Sequence, residues 1–527
     1  MAVGNVRWAL QRTFRKDLVM QPGAEHGLDE PRVTNVHRHA LCISLFLLLI
    51  SCSFCSDSAL AQCAGVVSTP GAISACATRT IPTAKLATID SHYQYSLAEL
   101  IDIGEQNNPR TWIAWERAKQ KANLLGIEKS AYYPLLVGIG TVADQRFINP
   151  FPEPLAPRGY TMVELPVIQP QVTLQYLLFD FGGRSAHVDR AKAEALAAGA
   201  NFIQANQDVA YAISSDYYAL VTAQERLQAT TEILKTAQTT EDAAESRLAN
   251  GRATMPDVLN ARSQTAQAVF DREAADGDEK IARVTLAEAI GVDPSPDISI
   301  DAQRNAPLPQ ALTQPIDQLI DRAMADRPDL MAQVSQVRAA DDAVRAAKAS
   351  YHPKITLSGA VAQTAGWPST DQVEGQLGHA DETTWSAAVN VQWTIFDGGS
   401  RKNQKALAES QKREAMESLR EKHDQAQREV WSSYIAFRTA LRQEDAAVAS
   451  LGAADTSYSA SLDAYKYGVE TLVDVVTAEK QLALARLSSV SARSHVFVEA
   501  VQIEFVTGNL LRGLSPATTT QTKDGQE

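Results

Sequence analysis

Two long segments without proline limit the possible folds of this chain more than any other feature. They span 182–248 and 398–467 and consist mainly of Ala, Gln, Glu, Lys, Arg and Leu. An α-helix rises 1.5 Å per residue, so each segment predicts a helix roughly 100 Å long. Such a helix does not fit in a compact globular domain, because helices there average only about 11 residues.

Each long segment is followed by a second helical segment that runs back beside it. The returning helices are predicted at Met255–Ile290 and Thr471–Thr507. Many apolar positions of the long segments are alanine, which allows neighbouring helices to pack closely. The sequence therefore predicts two long helical hairpins, at 182–290 and 398–507, and a mixed fold that is mainly α.

The two halves of the chain repeat one another. The motif Phe179-Asp-Phe-Gly-Gly-Arg184 recurs as Phe396-Asp-Gly-Gly-Ser-Arg401, and the same separation of 217 residues relates Asp257 to Asp474. A constant separation over such a distance predicts an internal duplication. The predicted parts are a targeting region at 1–61, an N-terminal periplasmic segment at 62–94, a first repeat at 95–292, a linker at 293–315, a second repeat at 316–510 and a polar tail at 511–527.

Each repeat also contains two predicted strands, in which apolar and polar residues alternate. They lie at about 135–146, 171–179, 354–363 and 386–396; the first begins with apolar residues at 135, 137 and 139. Strands of about ten residues can cross a membrane when tilted. A soluble antiparallel sheet is the commoner source of such a pattern, but the surrounding helices and an N-terminal export signal favour membrane strands.

That export signal consists of basic residues up to position 39 followed by the apolar run Leu41–Ile50. The run is too short to span a membrane as a helix. Two processing sites compete. The sequence Ser58-Ala-Leu-Ala61 favours cleavage before Gln62, whereas Leu49-Ile-Ser-Cys52 resembles a lipobox, in which Cys52 would be acylated.

We favour cleavage before Gln62 because of the cysteines that would remain in the mature chain. Cys63 and Cys76 would then remain as an even pair in the mature chain. Such a pair could form a disulfide in an oxidising periplasm.

Composition argues against several classes of function. The chain carries 49 Lys and Arg against 62 Asp and Glu, a net charge of −13, whereas nucleic-acid binders usually present a basic face. Five Cys and nine His leave little material for multi-metal chemistry. We find no spacing typical of a nucleophile with its base or of a metal site. The sequence therefore predicts no catalytic residues, no cofactor and no metal, and we expect no enzyme.

The predicted strands restrict how the chain can be assembled. Four strands cannot close a barrel, and an open sheet edge in hydrocarbon leaves backbone N–H and C=O groups unpaired. Several copies must therefore share one barrel, and three copies would supply twelve strands around a lumen. The long helices would then extend from the barrel as a tube. This geometry predicts a conduit.

The motifs resemble those of the TolC-like outer-membrane efflux protein family over about residues 90–510. The landmarks, found in the same order in each repeat, are Tyr132-Tyr-Pro134 and Tyr351-His-Pro353, the two Phe-Asp motifs, and the segments Gly251–Asp257 and Gly468–Asp474. The resemblance implies a homotrimeric twelve-stranded barrel in the outer membrane of a Gram-negative bacterium, continuous with a periplasmic α-helical barrel.

The resemblance also implies a function. Such proteins are exit ducts of tripartite efflux or type I secretion systems, and their partners are a periplasmic adaptor protein and an inner-membrane transporter. An alternative is that this chain is itself a periplasmic coiled-coil adaptor or scaffold. That alternative lacks the lipoyl-like β module expected of an adaptor and leaves the four strands unexplained.

The turns of the two hairpins hold the candidate functional residues. Gly251 and Gly468 are predicted to end the long helices in a left-handed conformation. Thr254 and Thr471 would then begin the returning helices, with Asp257 and an equivalent aspartate in the first turn. This is a purely structural interpretation of both acidic residues.

The resemblance adds a functional interpretation, in which the turns form a periplasmic gate that meets the adaptor. Asp474 matches an aspartate that forms a constricting carboxylate ring, which would attract cations. Asp257 and Tyr465 match a pair that can hold the gate closed by a hydrogen bond. The family's second acidic ring position is Thr477 here, and its basic gate residue is Glu470, so this chain departs from the pattern at both.

Two glycines follow the second strand of each repeat. Gly182, Gly183, Gly398 and Gly399 lack the G-x-G-x-x-G spacing and the Lys-Ser/Thr of a phosphate-binding loop. They are predicted to bend the chain where the barrel becomes the tube.

Overall fold

The computed structural model of the chain describes residues 89–513, apart from 91, 151–155, 157, 294–297, 302–306, 310–313, 372 and 377. All of these residues belong to one compact unit, Leu86–Glu527. The export signal at 1–61, Cys52, Cys63 and Cys76 lie outside the described residues. So do most of the segment 62–94, most of the tail 511–527 and part of the linker 293–315.

Nine helices lie in the described part of the chain. Two of them, Gly183–Ala249 and Ser400–Tyr467, are continuous over 67 and 68 residues. None of the nine is both long and apolar enough to cross a membrane. The helices are α1 (Leu97–Asn107), α2 (Pro109–Ser130), α3 (Gly183–Ala249), α4 (Met255–Ile290), α5 (Ile316–Asp326), α6 (Pro328–Ala349), α7 (Ser400–Tyr467), α8 (Leu472–Val506) and α9 (Leu510–Gly513).

The described strands include four long ones, at Leu135–Pro150, Tyr160–Phe179, Lys354–Gly366 and Ala380–Gln392. Two of them differ most from the prediction: the second begins at Tyr160 instead of 171, and the fourth spans Ala380–Gln392 instead of 386–396. The strands are β1 (Gln94–Tyr95), β2 (Leu135–Pro150), β3 (Tyr160–Phe179), β4 (Ser299–Ile300), β5 (Lys354–Gly366), β6 (Ser369–Thr370), β7 (Val373–Gln376) and β8 (Ala380–Gln392).

The long strands form one antiparallel sheet in the order β2-β3-β5-β8. The short strand β6 pairs with β3 near its first residues, at Val163 and Glu164, and β7 pairs with β6. Within the described residues, β2 and β8 each pair with a neighbour along one side only. The sheet therefore has two long edges, one at each end of its strand order.

Cross-strand register places the apolar side chains on a common face. Residues directly opposite each other in adjacent strands lie on the same side of a sheet. Val389 of β8 lies opposite Leu357 of β5, which lies opposite Tyr176 of β3. Two positions along the same face, Trp385 and Val172 both lie opposite Val361. The alternation read from the sequence is therefore aligned across these three strands.

The first strand is offset from the expected pattern. Its apolar residues at 135, 137 and 139 lie opposite Gln175, Thr173 and Gln171, on the polar face of the sheet. The apolar face of β2 instead carries Leu136, which lies opposite Leu174. The expectation for the first strand was wrong because β2 has apolar residues at both parities near its start, so the pattern alone did not fix its register.

The helices form a row beside the sheet. Near the sheet, the packing order is α2, α3, α6 and α7; farther along, α4 and α8 replace α2 and α6 in the order α4, α3, α8 and α7. The first hairpin is α3 with α4, and the second is α7 with α8. Their lengths correspond closely, at 36 and 35 residues for the two returning helices.

The largest apolar core lies where the returning helices end. It contains Leu100, Ile213, Leu220, Leu286 and Ile290, all fully buried. The short parallel pair of β1 and β4 adjoins it and ties the N-terminal segment to the linker. This core joins α1 to the middle of α3 and to the end of α4. A separate cluster joins α5 to Val430 of α7 and Val506 of α8.

Close backbone approach requires glycine at the end of α8. Gly508 has φ +74°, and a Cβ added there would lie 3.0 Å from backbone atoms of Asp326. We predict that Gly508→Ala destabilises the fold by about 2 kcal/mol or more, because it combines a left-handed alanine with a steric clash.

Gly452 supplies the matched control. It lies inside α7 with no atom within 4 Å of an added Cβ, so Gly452→Ala should stabilise the helix by about 1 kcal/mol. Thermal unfolding of the detergent-solubilised protein, followed by circular dichroism, measures both changes. A midpoint for Gly508→Ala equal to that of the wild type would contradict the close-approach argument.

Candidate functional site at the hairpin tips

The tip of the first hairpin is a capped turn between α3 and α4. Gly251, just beyond the end of α3, has φ +68°. Thr254 caps α4, and Asp257 Oδ2 accepts hydrogen bonds from its amide (2.8 Å) and its hydroxyl (2.7 Å). These bonds from the hydroxyl and the amide hold the pKa of Asp257 below its ordinary value, and the nearby Arg247 guanidinium adds to the effect.

The second tip repeats this construction. Gly468 caps α7 with φ +84°, and Thr471 caps α8. Asp474 Oδ2 accepts hydrogen bonds from the Thr471 amide (3.0 Å) and hydroxyl (2.6 Å), which lower the pKa of the carboxyl. Both aspartates therefore occupy the third position of a capping box. The exposed Asp474 has no bond to Oδ1 from any described group.

Tyr465 lies in the last turn of α7, and only 3% of it is exposed. Burial raises the pKa of its hydroxyl; the charge of Arg247 lowers it and that of Asp257 raises it again. The hydroxyl has no hydrogen-bond partner among the described residues. The expected bond between Tyr465 and Asp257 is thus not formed in this chain, although the two groups are close enough to interact electrostatically.

Arg247 joins the two tips, and the sequence alone did not reveal this role. It lies in the last turn of α3 and donates a hydrogen bond from Nη1 to the Tyr465 carbonyl oxygen. Its guanidinium lies 4.2 Å from the centroid of the Tyr465 ring, and Nη2 contacts the Arg252 carbonyl oxygen at 3.4 Å. In the sequence, a basic residue near a helix C-terminus indicates only a favourable dipole interaction.

The tips pack together through an apolar cluster. It draws on both hairpins, so the turns are held by side-chain packing as well as by caps. Its buried members are Ala244, Val258, Ala261, Tyr458, Leu462, Tyr465, Leu472, Val475, Val476, Ala478 and Leu482.

A buried carboxyl lies beside this cluster and was also missed from the sequence. Glu479 of α8 accepts a hydrogen bond from the Thr240 hydroxyl of α3 at 2.8 Å. The Thr240 hydroxyl also lies 3.3 Å from the hydroxyl of Tyr458 on α7. Burial raises the pKa of Glu479, while the Thr240 bond and the charge of Lys480 lower it. One polar group therefore links three helices of the two hairpins.

The turns between sheet and long helices contain the other predicted glycines. Gly182 and Gly399 precede α3 and α7 with φ of +89° and +90°. Gly183 is the first residue of α3, and Gly398 has φ +64°. The first repeat has Phe181 at the position of Gly398, also at positive φ (56°). A bulky residue in this conformation is rare.

Phe181 is held by aromatic contacts that the sequence did not predict. Its ring stacks on His352 (4.8 Å) and meets Phe179 edge-on (4.7 Å). The arginine of the same motif, Arg184, lies 4.5 Å from the centroid of the Tyr132 ring. The turn therefore packs against both Tyr-x-Pro segments, since Phe181 contacts His352 of the second and Arg184 contacts Tyr132 of the first.

The structure thus joins an antiparallel sheet with two long edges to two helical hairpins with capped tips. Residues 168–292 and 319–509 match the model of the outer membrane efflux protein family. These segments make up more than half of the chain, and the chain belongs to this family.

Individual relatives are similar over most of their length. Protein CyaE of Bordetella pertussis is 26% identical over 428 residues, covering 79% of this chain and 85% of that protein. The solvent efflux pump outer membrane protein SrpC of Pseudomonas putida is 26% identical over 415 residues, covering 77% and 83%. The solved structure of the outer membrane protein VceC of Vibrio cholerae has a TM-score of 0.64 at 20% identity, covering 78% and 96%.

These findings establish the broad function and the location. The protein is an efflux channel of the outer membrane, and its relatives are channel proteins rather than enzymes. The alternative of a periplasmic adaptor or scaffold is not favoured.

The buried Glu479 predicts a pH dependence of stability. A carboxyl whose pKa is higher in the folded than in the unfolded state stabilises the fold at low pH and loses that contribution as the pH rises through the folded pKa. Glu479→Gln stays neutral and can still accept the Thr240 hydrogen bond. We expect this variant to be more stable than the wild type at neutral pH and equally stable at acidic pH.

Thermal unfolding at acidic and neutral pH provides the measurement. Asp463→Asn is the matched control, because Asp463 is an exposed acid on α7 at the same end of the hairpins. It should leave the pH dependence of the wild type unchanged. If Glu479→Gln shows the same pH dependence as the wild type, the buried carboxyl is not its source.

Proposed function

We propose that three copies of this chain assemble into the exit duct of a tripartite efflux or type I secretion system. Twelve strands would form a barrel in the outer membrane, and the hairpins would extend it as a helical tube through the periplasm. The observation that carries this proposal is a sheet with an apolar face whose edges, β2 and β8, have no partner strand among the described residues. A periplasmic adaptor and an inner-membrane transporter are the proposed partners.

The edges require a head-to-tail arrangement. In hydrocarbon, every backbone N–H and C=O along β2 and β8 must find a partner, and only another strand can supply a whole row of them. The β8 edge of one copy would pair with the β2 edge of the next. Such heterologous contacts close into a ring when the rotation between copies fits.

The helices support the same arrangement of copies. Helix α2, which precedes β2, and α7, which follows β8, are the outer members of their row. Leu124 and Ile113 on α2 and Leu407 and Met416 on α7 are each roughly half exposed. Leu124 lies six residues before the sheet-proximal end of α2 at Ser130, and Leu407 lies seven residues after the start of α7. The two leucines are thus at similar heights, about 10 Å from the helix ends.

Cysteine cross-linking tests the proposed ring. A chain carrying Leu124→Cys and Leu407→Cys should cross-link between copies, because the two positions would meet at each junction. Denaturing gels would then show dimer and trimer bands above the background of the native cysteines. The control pair Leu124→Cys and Leu484→Cys places the second exposed cysteine on α8, far along the hairpin, and should add no such bands. Bands of monomer mass alone would contradict the ring.

The two faces of the sheet would meet different surroundings. The face containing Val389, Leu357 and Val361 would contact lipid. The opposite face, which includes Gln171, Gln175 and Asn390, would line the lumen. This division follows the usual rule for membrane barrels, with apolar residues outside and polar residues inside. The turns at Gly182, Gly183, Gly398 and Gly399 would join the barrel to the tube.

The hairpin tips are the proposed periplasmic gate. Asp474 would contribute to a carboxylate ring, with Asp257 and Tyr465 stabilising the closed state. The turns at Gly251, Thr254, Gly468 and Thr471 would contact the adaptor. The constant separation of the motifs and the similar helix lengths also support an internal duplication of the whole unit.

Replacing Asp474 by Asn tests the ring without disturbing the turn. An asparagine oxygen can still accept the bonds from Thr471, so the cap is retained while the charge is removed. We expect cation block in planar bilayers to weaken about tenfold, because three charges would leave the constriction together. Conductance should also rise.

Asp463→Asn is the control. It removes an exposed charge of α7 near the same tip but outside the proposed gate, and it should weaken the block much less. An unchanged single-channel current and block for Asp474→Asn would count against a carboxylate ring at this position.

A further inference from the structure

We propose that Arg247 is the basic residue that latches the two hairpin tips in the closed state. The inference rests on the proposed gate. Position 470, where the family resemblance places a basic gate residue, is a glutamate in this chain. The positive charge comes instead from the end of the first hairpin.

The contacts of Arg247 make it a bridge between hairpins. It lies in the last turn of α3, and the carbonyl to which Nη1 donates belongs to the last turn of α7. That carbonyl also accepts a hydrogen bond from the Gly468 amide at 2.9 Å, so Arg247 adds a charged second donor to an acceptor at the helix end. A charged donor at this place also interacts favourably with the negative end of the α7 dipole.

The ring of Tyr465 provides a second contact for Arg247. The guanidinium covers its ring at 4.2 Å, and the residue is almost completely buried, so the cation–π contact is largely shielded from water. Arg247 therefore binds both the backbone and the ring of one residue across the interface. Its charge also lowers the pKa of Asp257, which brings α4 into the same electrostatic group.

The latch also contains groups that favour its release. Arg247 Nε, Tyr465 Oη and Glu470 Oε2 are buried without a hydrogen-bond partner among the described residues. Unpaired buried polar atoms raise the free energy of the arrangement that contains them. Any rearrangement of the tips that pairs these atoms with water or a partner protein recovers that cost. The polar contacts around Arg247 thus add to the apolar packing of the tips but leave buried polar atoms unpaired.

Single-channel recording of the full chain in planar bilayers tests this latch. Arg247→Gln removes the charge and the cation–π contact, so the open probability should rise about tenfold, as expected for the loss of one charge-assisted hydrogen bond. Arg262→Gln is the matched control. Arg262 is a more exposed arginine whose ion-pair partners among the described residues are Glu241 and Glu245 of the same hairpin, and its replacement should leave the open probability unchanged.

The outcomes separate the latch from the proposed channel. A wild-type protein that forms channels, together with an Arg247→Gln variant of the same open probability, would overturn the latch and leave the exit duct standing. A wild-type protein without channel activity would overturn both. If Arg247→Gln does not assemble into channels, Arg247→Lys carries the test. It keeps the charge but cannot bond to the Tyr465 and Arg252 carbonyl oxygens together, so an unchanged open probability would overturn the proposal.

Discussion

Backbone hydrogen bonding is the constraint on which this architecture depends. The long helices satisfy their own peptide groups, and the four long strands satisfy theirs except along the outer sides of β2 and β8. These rows of donors and acceptors need partners as soon as the sheet enters hydrocarbon. In the proposed assembly the missing partners are the same strands of neighbouring copies, so the membrane part cannot be completed by one chain alone.

Local sequence rules predicted the helices and strands well but missed some of the residues at which the strands begin and end. The proline-free segments became continuous helices over Gly183–Ala249 and Ser400–Tyr467. The early start of β3 was hidden because Pro166 and Pro170 resemble loop residues, yet pairing with β2 keeps this stretch extended. The alternation beyond Gln392 predicted a longer β8, but no strand pairs with those residues. Pairing, not alternation, sets the strand ends.

The contacts at the hairpin tips also fall into those that local sequence rules predicted and those that they missed. The caps at Asp257 and Asp474 follow from Thr-x-x-Asp spacing, a contact within four residues that sequence shows directly. The contacts of Arg247 with Tyr465 and of Thr240 with Glu479 span 218 and 239 residues. Neither has a local signature, because an arginine or a glutamate in an Ala-rich helix is ordinary. Only the packing of one hairpin against the other brings these groups together.

The capping boxes have a consequence for how such a channel can change over evolutionary time. Asp474 commits one carboxylate oxygen to the turn and leaves the other without a bond to any described group. An exchange with asparagine therefore keeps the turn while changing the charge at the tip. In the proposed gate, ion preference would therefore be separable from folding, and a lineage could change what passes without first changing its hairpin turns.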